Sequence, residues 1–307
     1  MKDSIQVVII DFPNAMQSAV LGLKELLILA NQIISESDFD LIFNIDTVSI
    51  TDIKQQSSQC EILIIPPSIL GNYYLTPDKA LIEFIHQARA SGAVICSACA
   101  GTFILAETGL LNQRPATTHW KLAQTFQEKY PQVKLEIDNL LINDGELITA
   151  GGLMSWTDLG LEIVAQFSKP HIMRALGKYL IVDTGKREQR YYGSFNPVFN
   201  HGNKAIVTLQ HYLQANYQHP ITISNMAKTA CMSERTLLRQ FKRATGFKPN
   251  HYMQRLRVQK ACDLLEASSL SFELIAHSVG YEDANSFRKV FIKIIGLTPS
   301  AFKQRFV

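Results

Sequence analysis

Ile221-Thr-Ile-Ser-Asn-Met-Ala-Lys-Thr-Ala-Cys-Met-Ser-Glu-Arg-Thr-Leu-Leu-Arg-Gln-Phe-Lys-Arg-Ala-Thr-Gly246 and Ser271-Phe-Glu-Leu-Ile-Ala-His-Ser-Val-Gly-Tyr-Glu-Asp-Ala-Asn-Ser-Phe-Arg-Lys-Val-Phe-Ile-Lys-Ile-Ile-Gly296 follow one plan. Each reads as a short apolar helix, a tight turn with a capping residue, and a longer helix closed by Gly. The longer helix keeps an apolar stripe on one face and Arg, Lys and small polar residues on the other. That is the shape and charge of a helix laid in a major groove, so residues 221–296 are expected to hold two helix-turn-helix units.

In the first unit Ile223, Met226, Ala227 and Ala230 are expected core, with Ser224 as a cap; Ser233 caps the second helix, and Leu237 and Phe241 face inward. Ser233, Arg235, Thr236, Arg239, Gln240, Lys242 and Arg243 are left for DNA. Arg235 and Arg239 share a face and suit base edges, because a forked guanidinium matches guanine. Lys242 and Arg243 suit phosphates. In the second unit Phe287, Val290, Phe291 and Ile294 form the buried stripe, and Asn285, Arg288 and Lys289 face DNA. Ile292 and Ile295 make that helix more apolar, so base readout is expected mainly from the first unit. Pro249 to Ala267 reads as a connecting helix.

The charge of the chain divides in the same place. Of 30 Lys+Arg and 27 Asp+Glu in 307 residues, residues 204–307 carry 15 and 6, a net +9; residues 1–203 carry 15 and 21, a net −6. A basic third on an acidic body fits a DNA-binding end joined to something that avoids DNA. Five scattered cysteines (Cys60, Cys96, Cys99, Cys231, Cys262) and the short apolar run Ile5 to Ile10 set the expectation of a cytoplasmic protein with no membrane span. No metal site with convincing spacing and no cofactor is expected.

Residues 1–183 alternate strand and helix signals. Strands are expected at Ile5 to Ile10, Phe39 to Ile50, Glu61 to Ile65 and Ala93 to Ser97, with a hairpin turned by Asn143-Asp144-Gly145. Helices are expected at Ala19 to Ile33, Trp156 to Phe167 and Pro170 to Ile181, and from a Thr76 cap with Pro77 at the first helical position. This βα rhythm implies a doubly wound, flavodoxin-like, mostly parallel sheet, followed by an all-α domain with the two helix-turn-helix units. Residues 184–203 read as a linker and 204–307 as the DNA-binding domain.

Ser97-Ala98-Cys99-Ala100-Gly101-Thr102-Phe103 follows a buried strand and opens a helix, as a nucleophile elbow does with Cys in place of Ser. A thiol at a helix N-terminus is expected to have a lowered pKa. His119 could lie nearby, and Gly151-Gly152 could offer backbone N–H groups to an anion.

These pieces, together with Gly109-Leu110-Leu111, Ala116-Thr-Thr-His-Trp120 and Thr149-Ala-Gly-Gly152 followed by Asp158-Leu159, resemble the ThiJ/PfpI branch of the class I glutamine-amidotransferase-like superfamily. The resemblance implies a cysteine that is a nucleophile or oxidisable thiol, backed by a carboxylate. Here the acidic position aligns with Ala19, and Pro67-Ser68 stands where the family tends to place Gly-Gly. Because base and oxyanion donors act as a unit, no enzyme is expected. A ligand pocket of Cys99, Ala100, His119, Pro67, Ser68, Gly151 and Gly152 is expected instead. A thiol sensor using Cys99, or an active cysteine amidase or hydratase, is the alternative.

Met232 to Lys242, Gly246-Phe-Lys-Pro249, Arg255-Leu256, Ala261, Leu264-Leu265, Ile275-Ala276, Val279-Gly280-Tyr281, Ser286-Phe287, Phe291 and Gly296-Leu-Thr-Pro299 resemble the AraC/XylS family of transcription regulators. The two domains together are similar to the GlxA- or FtrA-like subfamily. The resemblance implies a sequence-specific activator that binds double-stranded DNA as a homodimer, works with RNA polymerase, and answers to an amine- or amino-acid-like small molecule.

Overall fold

In a computed structural model, residues 3–185 and 187–307 are described; Lys186, inside the expected linker, and the first two residues lie outside them. The chain forms two compact units, Met1–Gln189 and Arg190–Val307.

The first unit is built on a six-stranded sheet. Its elements in chain order are β1 (Asp3–Asp11), α1 (Gln17–Ser35), β2 (Leu41–Ser49), β3 (Ile62–Ile65), α2 (Lys79–Ala90), β4 (Val94–Ala98), α3 (Gly101–Glu107), β5 (Pro115–Ala116), α4 (Ala123–Lys129), β6 (Lys134–Leu135), β7 (Leu141–Asn143), β8 (Leu147–Ala150), α5 (Trp156–Phe167) and α6 (Pro170–Leu180). Strand order is β2-β1-β3-β4-β8-β7, parallel except where β7 pairs antiparallel with β8. β5 and β6 form a separate two-stranded sheet that the sequence reading did not anticipate.

Runs such as Ile62-Leu-Ile-Ile65 are apolar at every position because every position is buried, which marks a parallel strand covered on both faces. α1, α5 and α6 pack together as one layer, and α2 and α3 as another. α1 is long and apolar enough to cross a membrane, but its Ala19, Leu23, Leu27, Ala30 and Ile34 are buried in the core of this unit. α2 starts at Lys79 with Asp78 before it, not at Pro77: Thr76 closes a single 3-10 turn over Tyr73–Leu75. Phe103, fully buried, meets Tyr74, Phe126 and Tyr130 edge to face.

The expected linker divides. Gln189 is buried in the first unit, whereas Phe195 packs on Phe247 and Tyr252 of the second. Aromatic rings are costly to leave in water, and this stretch has four, Tyr191, Tyr192, Phe195 and Phe199.

The second unit is all helical: α7 (Lys204–Asn216), α8 (Ile223–Thr229), α9 (Glu234–Thr245), α10 (Pro249–Ala267), α11 (Phe272–Ser278), α12 (Ala284–Ile295) and α13 (Pro299–Phe306). It has two cores. One gathers Leu213, Met226, Leu237, Phe241 and Tyr252; the other gathers Val258, Ala261, Leu265, Ile275, Phe287, Phe291 and Phe302. The cap of α8 is Thr222, which forms a capping box with Asn225, rather than Ser224. Ile295 is buried in the second core, leaving Ile292 as the outward apolar residue of α12.

Phe103→Ala removes the centre of the aromatic cluster and is expected to cost about 3–5 kcal/mol. Urea unfolding followed by circular dichroism checks this; a loss under about 1 kcal/mol would contradict the packing described. Cys231 is an exposed non-glycine residue held at φ 52°. Cys231→Gly is therefore expected to stabilise the second unit by roughly 0.5–1 kcal/mol, because relief of the left-handed conformation exceeds the added chain entropy. A fall in melting temperature would sink that expectation.

Candidate functional site

The elbow at Cys99 forms because the chain must leave a buried strand and enter a helix within one residue. Cys99 takes φ 54°. Its N–H donates to the Ala150 carbonyl at 2.8 Å, and Thr118 Oγ1 donates to the Cys99 carbonyl at 2.7 Å. Gly101 is required next: a Cβ there would lie 2.6 Å from the Pro66 carbonyl oxygen and 2.7 Å from that of Ile65. Behind the turn, Ser97 Oγ and Thr102 Oγ1 are 3.0 Å apart and buried.

The geometry is that of a nucleophile elbow, but the electrostatics are not. Cys99 is 4% exposed, and burial pushes its thiol up to about 11, against only the Ala100 backbone N–H acting the other way. The lowered pKa expected of a thiol at a helix N-terminus is thus reversed. α3 is only two turns long, and desolvation outweighs its terminal dipole.

Ala19, aligned with the missing acid, is fully buried. Met16 N–H donates to the Pro67 carbonyl at 2.8 Å, and Ser68 Oγ donates to the Asn14 and Leu70 carbonyls, so this loop is tied to the one after β1. His119 Nδ1 accepts the Lys121 N–H at 3.1 Å, and burial first, then the Lys121 charge, lowers its pKa. It is a neutral imidazole with the proton on Nε2, resting on Trp120.

Gly151 differs from expectation. Its N–H already donates to the Leu140 carbonyl at 2.7 Å, and its bare Cα packs on the Gln189 amide, so it offers nothing to an anion. Gly152 uses its carbonyl to cap Ser155. Gln189 is the residue the sequence reading missed. Its Nε2 donates to Thr117 Oγ1 (2.9 Å) and the Thr118 carbonyl (2.8 Å), while its Oε1 is buried without a partner. An unmet buried acceptor costs roughly 1–3 kcal/mol. Its only sequence signal was a polar residue in an aromatic-rich stretch, which reads equally well as linker.

A cavity of about 550 Å³ lies elsewhere in this unit, walled by residues including Asn139, Leu141, Asp158, Met173, Arg187 and Glu188. None of the seven expected ligand residues lines it. Arg187 Nη2 donates to Asp158 Oδ1 across it at 2.5 Å, and residues on both sides of Lys186 form its wall.

On α9, Arg235, Arg239, Lys242 and Arg243 are exposed and Leu237 and Phe241 are buried beneath them. Three other DNA candidates are committed within the protein. Gln240 Oε1 accepts from Asn203 Nδ2 at 2.9 Å; Ser233 caps α9 and donates to Thr236 Oγ1. On α12, Asn285, Arg288 and Lys289 are all exposed, and Arg288 lies over the Phe272 ring and 3.5 Å from Glu273. Asp283 caps α12, and its hydrogen bonds from Ser286 and the Asn285 and Ser286 N–H groups lower its pKa. Among the described residues no cluster of His, Cys, Asp or Glu suits a metal ion.

At pH 7.5 an alkylating agent is expected to modify exposed Cys231 well before Cys99. The Cys99 rate should climb only as pH approaches 11, where its thiolate forms. Peptide mass spectrometry of the native protein after iodoacetamide reads this order; equal labelling of both cysteines at pH 7.5 would overturn it.

A family model described as "DJ-1/PfpI family" matches residues 6–166, more than half of the chain, and one described as "Helix-turn-helix domain" matches 226–305. The HTH-type transcriptional regulator ArgR of Pseudomonas aeruginosa is 29% identical over 223 residues, covering 70% of this chain and 65% of that protein. The HTH-type transcriptional regulator GlxA of Rhizobium meliloti is 27% identical over 208 residues, covering 67% and 63%. The chain therefore spans under two thirds of the length of each of these relatives. A crystal structure of a candidate transcriptional regulator protein from Vibrio parahaemolyticus shares the fold of the first unit, with a TM-score of 0.51 at 24% identity over 58% of this chain and all of that one. The chain belongs to the DJ-1/PfpI family through its first unit and joins to it an AraC/XylS-like helix-turn-helix domain, the arrangement of GlxA-type regulators.

Proposed function

We propose that this protein is a sequence-specific DNA-binding transcription regulator whose first unit senses a small molecule without catalysing a reaction. The observation that carries the DNA-binding part is a repeat within the second unit. In α8–α9 the turn residue Cys231 is left-handed and Met232 N–H donates to the Ala227 carbonyl at 2.9 Å. In α11–α12 the turn residue Gly280 is left-handed and Tyr281 N–H donates to the Ala276 carbonyl at 2.9 Å. Side-chain caps (Thr222 and Ser271, then Ser233 and Asp283) and left-handed closures (Gly246 and Gly296) recur in the same order. The spacing of matching residues is 49 for the turns (280 − 231) and 50 for the closures (296 − 246), so the second turn is one residue longer. Two such units on one connecting helix suit successive major grooves, about 34 Å apart. The basic face of α9 is the better reader, because Arg288 of α12 is held at Phe272 and Glu273.

The sensing part rests on the elbow. The loops after β1, β3, β4 and β8 converge at the C-terminal ends of parallel strands, where open α/β sheets bind ligands. Ile69 and Leu70 leave an exposed apolar rim there. A thiol whose pKa burial raises and a neutral His119 suit binding better than nucleophilic or thiolate chemistry. The effector proposed is amine- or amino-acid-like. The working form proposed is a cytoplasmic homodimeric activator in contact with RNA polymerase.

Selection of duplex DNA from a random pool by the full-length protein, followed by footprinting at physiological salt, tests the reading. Enrichment of a defined site is expected, and absence of any sequence preference would end it. Arg239→Ala is expected to cost about 1–3 kcal/mol and relax preference at one base position. Equal weakening on all sequences would reassign Arg239 to a phosphate.

A further inference from the structure

The two helix pairs of the second unit meet at a single guanidinium. Arg257, midway along α10, donates from Nε to the Tyr217 carbonyl at 2.8 Å and from Nη2 to the His219 carbonyl at 2.9 Å. Both acceptors lie just past the C-terminal end of α7, where carbonyls lack helical partners and a cation is favoured. The same group lies over the Tyr281 ring, 5.3 Å from its centroid, and Tyr281 is in the turn between α11 and α12. Beside it, Gly280 holds φ 85° with no room for a side chain: a Cβ would stand 2.5 Å from the Gln218 carbonyl oxygen. Tyr217 packs against both cores.

These contacts do what α10 by itself does not. α10 passes through both cores, with Tyr252, Met253 and Leu256 in the first and Val258, Ala261 and Leu265 in the second. That sets the distance between the pairs. Rotation of one pair about the α10 axis needs a contact away from that axis. α7 packs on α9, so its end reports the position of the first pair. Tyr281 and Gly280 report that of the second. Of the other stacked arginines, Arg255 lies over Phe247, Arg288 over Phe272 and Arg305 over Tyr191.

We infer that Arg257 is a positioning residue that sets the angle between α9 and α12, and with it the spacing at which the protein accepts two major-groove sites. This rests on the reading above that both helices enter DNA. Arg257 touches no base in this scheme. It acts through the Tyr217 and His219 carbonyls on one side and the Tyr281 ring on the other.

The test uses the full-length protein and duplexes selected by the wild type, rebuilt with one to five base pairs inserted between the two protected segments. The wild type is expected to lose at least about tenfold in affinity at a half-turn insertion of roughly five base pairs. Arg257→Ala is expected to lose about tenfold on the native spacing, to bind the one-base-pair insertion nearly as well, and to bind a fragment carrying only the first segment as the wild type does. Arg257→Lys, which keeps charge and one donor but not the planar fork, should fall between. A wild-type spacing profile in Arg257→Ala would overturn the inference, as would equal weakening on the single-segment fragment. Should Arg257→Ala fail to fold by circular dichroism, Tyr281→Leu removes the stacked ring while leaving both carbonyl bonds, and its spacing profile decides in the same way. A wild type that selects DNA but protects one segment only would instead end the two-helix reading itself.

Discussion

Burial of the central strands on both faces is the constraint on which the first unit depends. β3, β4 and β8, and Val7 to Ile10 of β1, have almost no solvent side, so every residue there must be apolar or satisfied inside. That demand explains the apolar runs of the central strands and the two helical layers that cover them. It also explains why strand β4 can end only by turning sharply. Cys99 leaves the sheet at positive φ because the next residues must clear the Ile65 and Pro66 carbonyls, and Gly101 is the one residue type that fits.

The same burial raises the pKa of the thiol at the elbow. A nucleophile elbow is useful when it lifts a thiol or hydroxyl into a polar, preorganised site. Here the strain is kept but the polarity is not. The thiol is covered and its pKa raised by desolvation, with only the Ala100 N–H acting the other way. Thr118 and Gln189 extend that satisfaction outward from the Cys99 carbonyl as a short polar chain, leaving only Gln189 Oε1 unmet. Shape and chemistry are separable: the backbone turn follows from packing, whereas the acidity of the thiol follows from what covers it.

The second unit solves a different problem. A short helix pair is too small to hold a core alone. Each pair therefore shares α10, and the first borrows α7 while the second borrows α13. Two cores on one helix have a fixed separation but a soft twist, and the Arg257 junction stiffens that twist. The capping residues of the two pairs match because each helix start leaves the same unpaired N–H groups. They differ in detail because Asp283 brings a charge where Ser233 does not.

Local pattern alone determined much of this protein. Apolar runs and period-3.6 stripes located the main strands and helices, since run and stripe follow from which sides are buried. The elbow, the hairpin at Asn143-Asp144-Gly145 and the left-handed closures at Gly246 and Gly296 were legible because special backbone angles demand special residues. Tertiary structure decided what depends on neighbours far along the chain. Whether the Cys99 thiol is acidic depends on what covers it. Whether Gly151 has a free N–H depends on Leu140 and Gln189, and whether Gln240 is free for DNA depends on Asn203. Arg257 reads in the sequence as one more cation on a basic helix. Only folding brings the Tyr217 and His219 carbonyls and the Tyr281 ring to it, because hydrogen bonds and stacking act over a few ångströms of space whatever the distance along the chain.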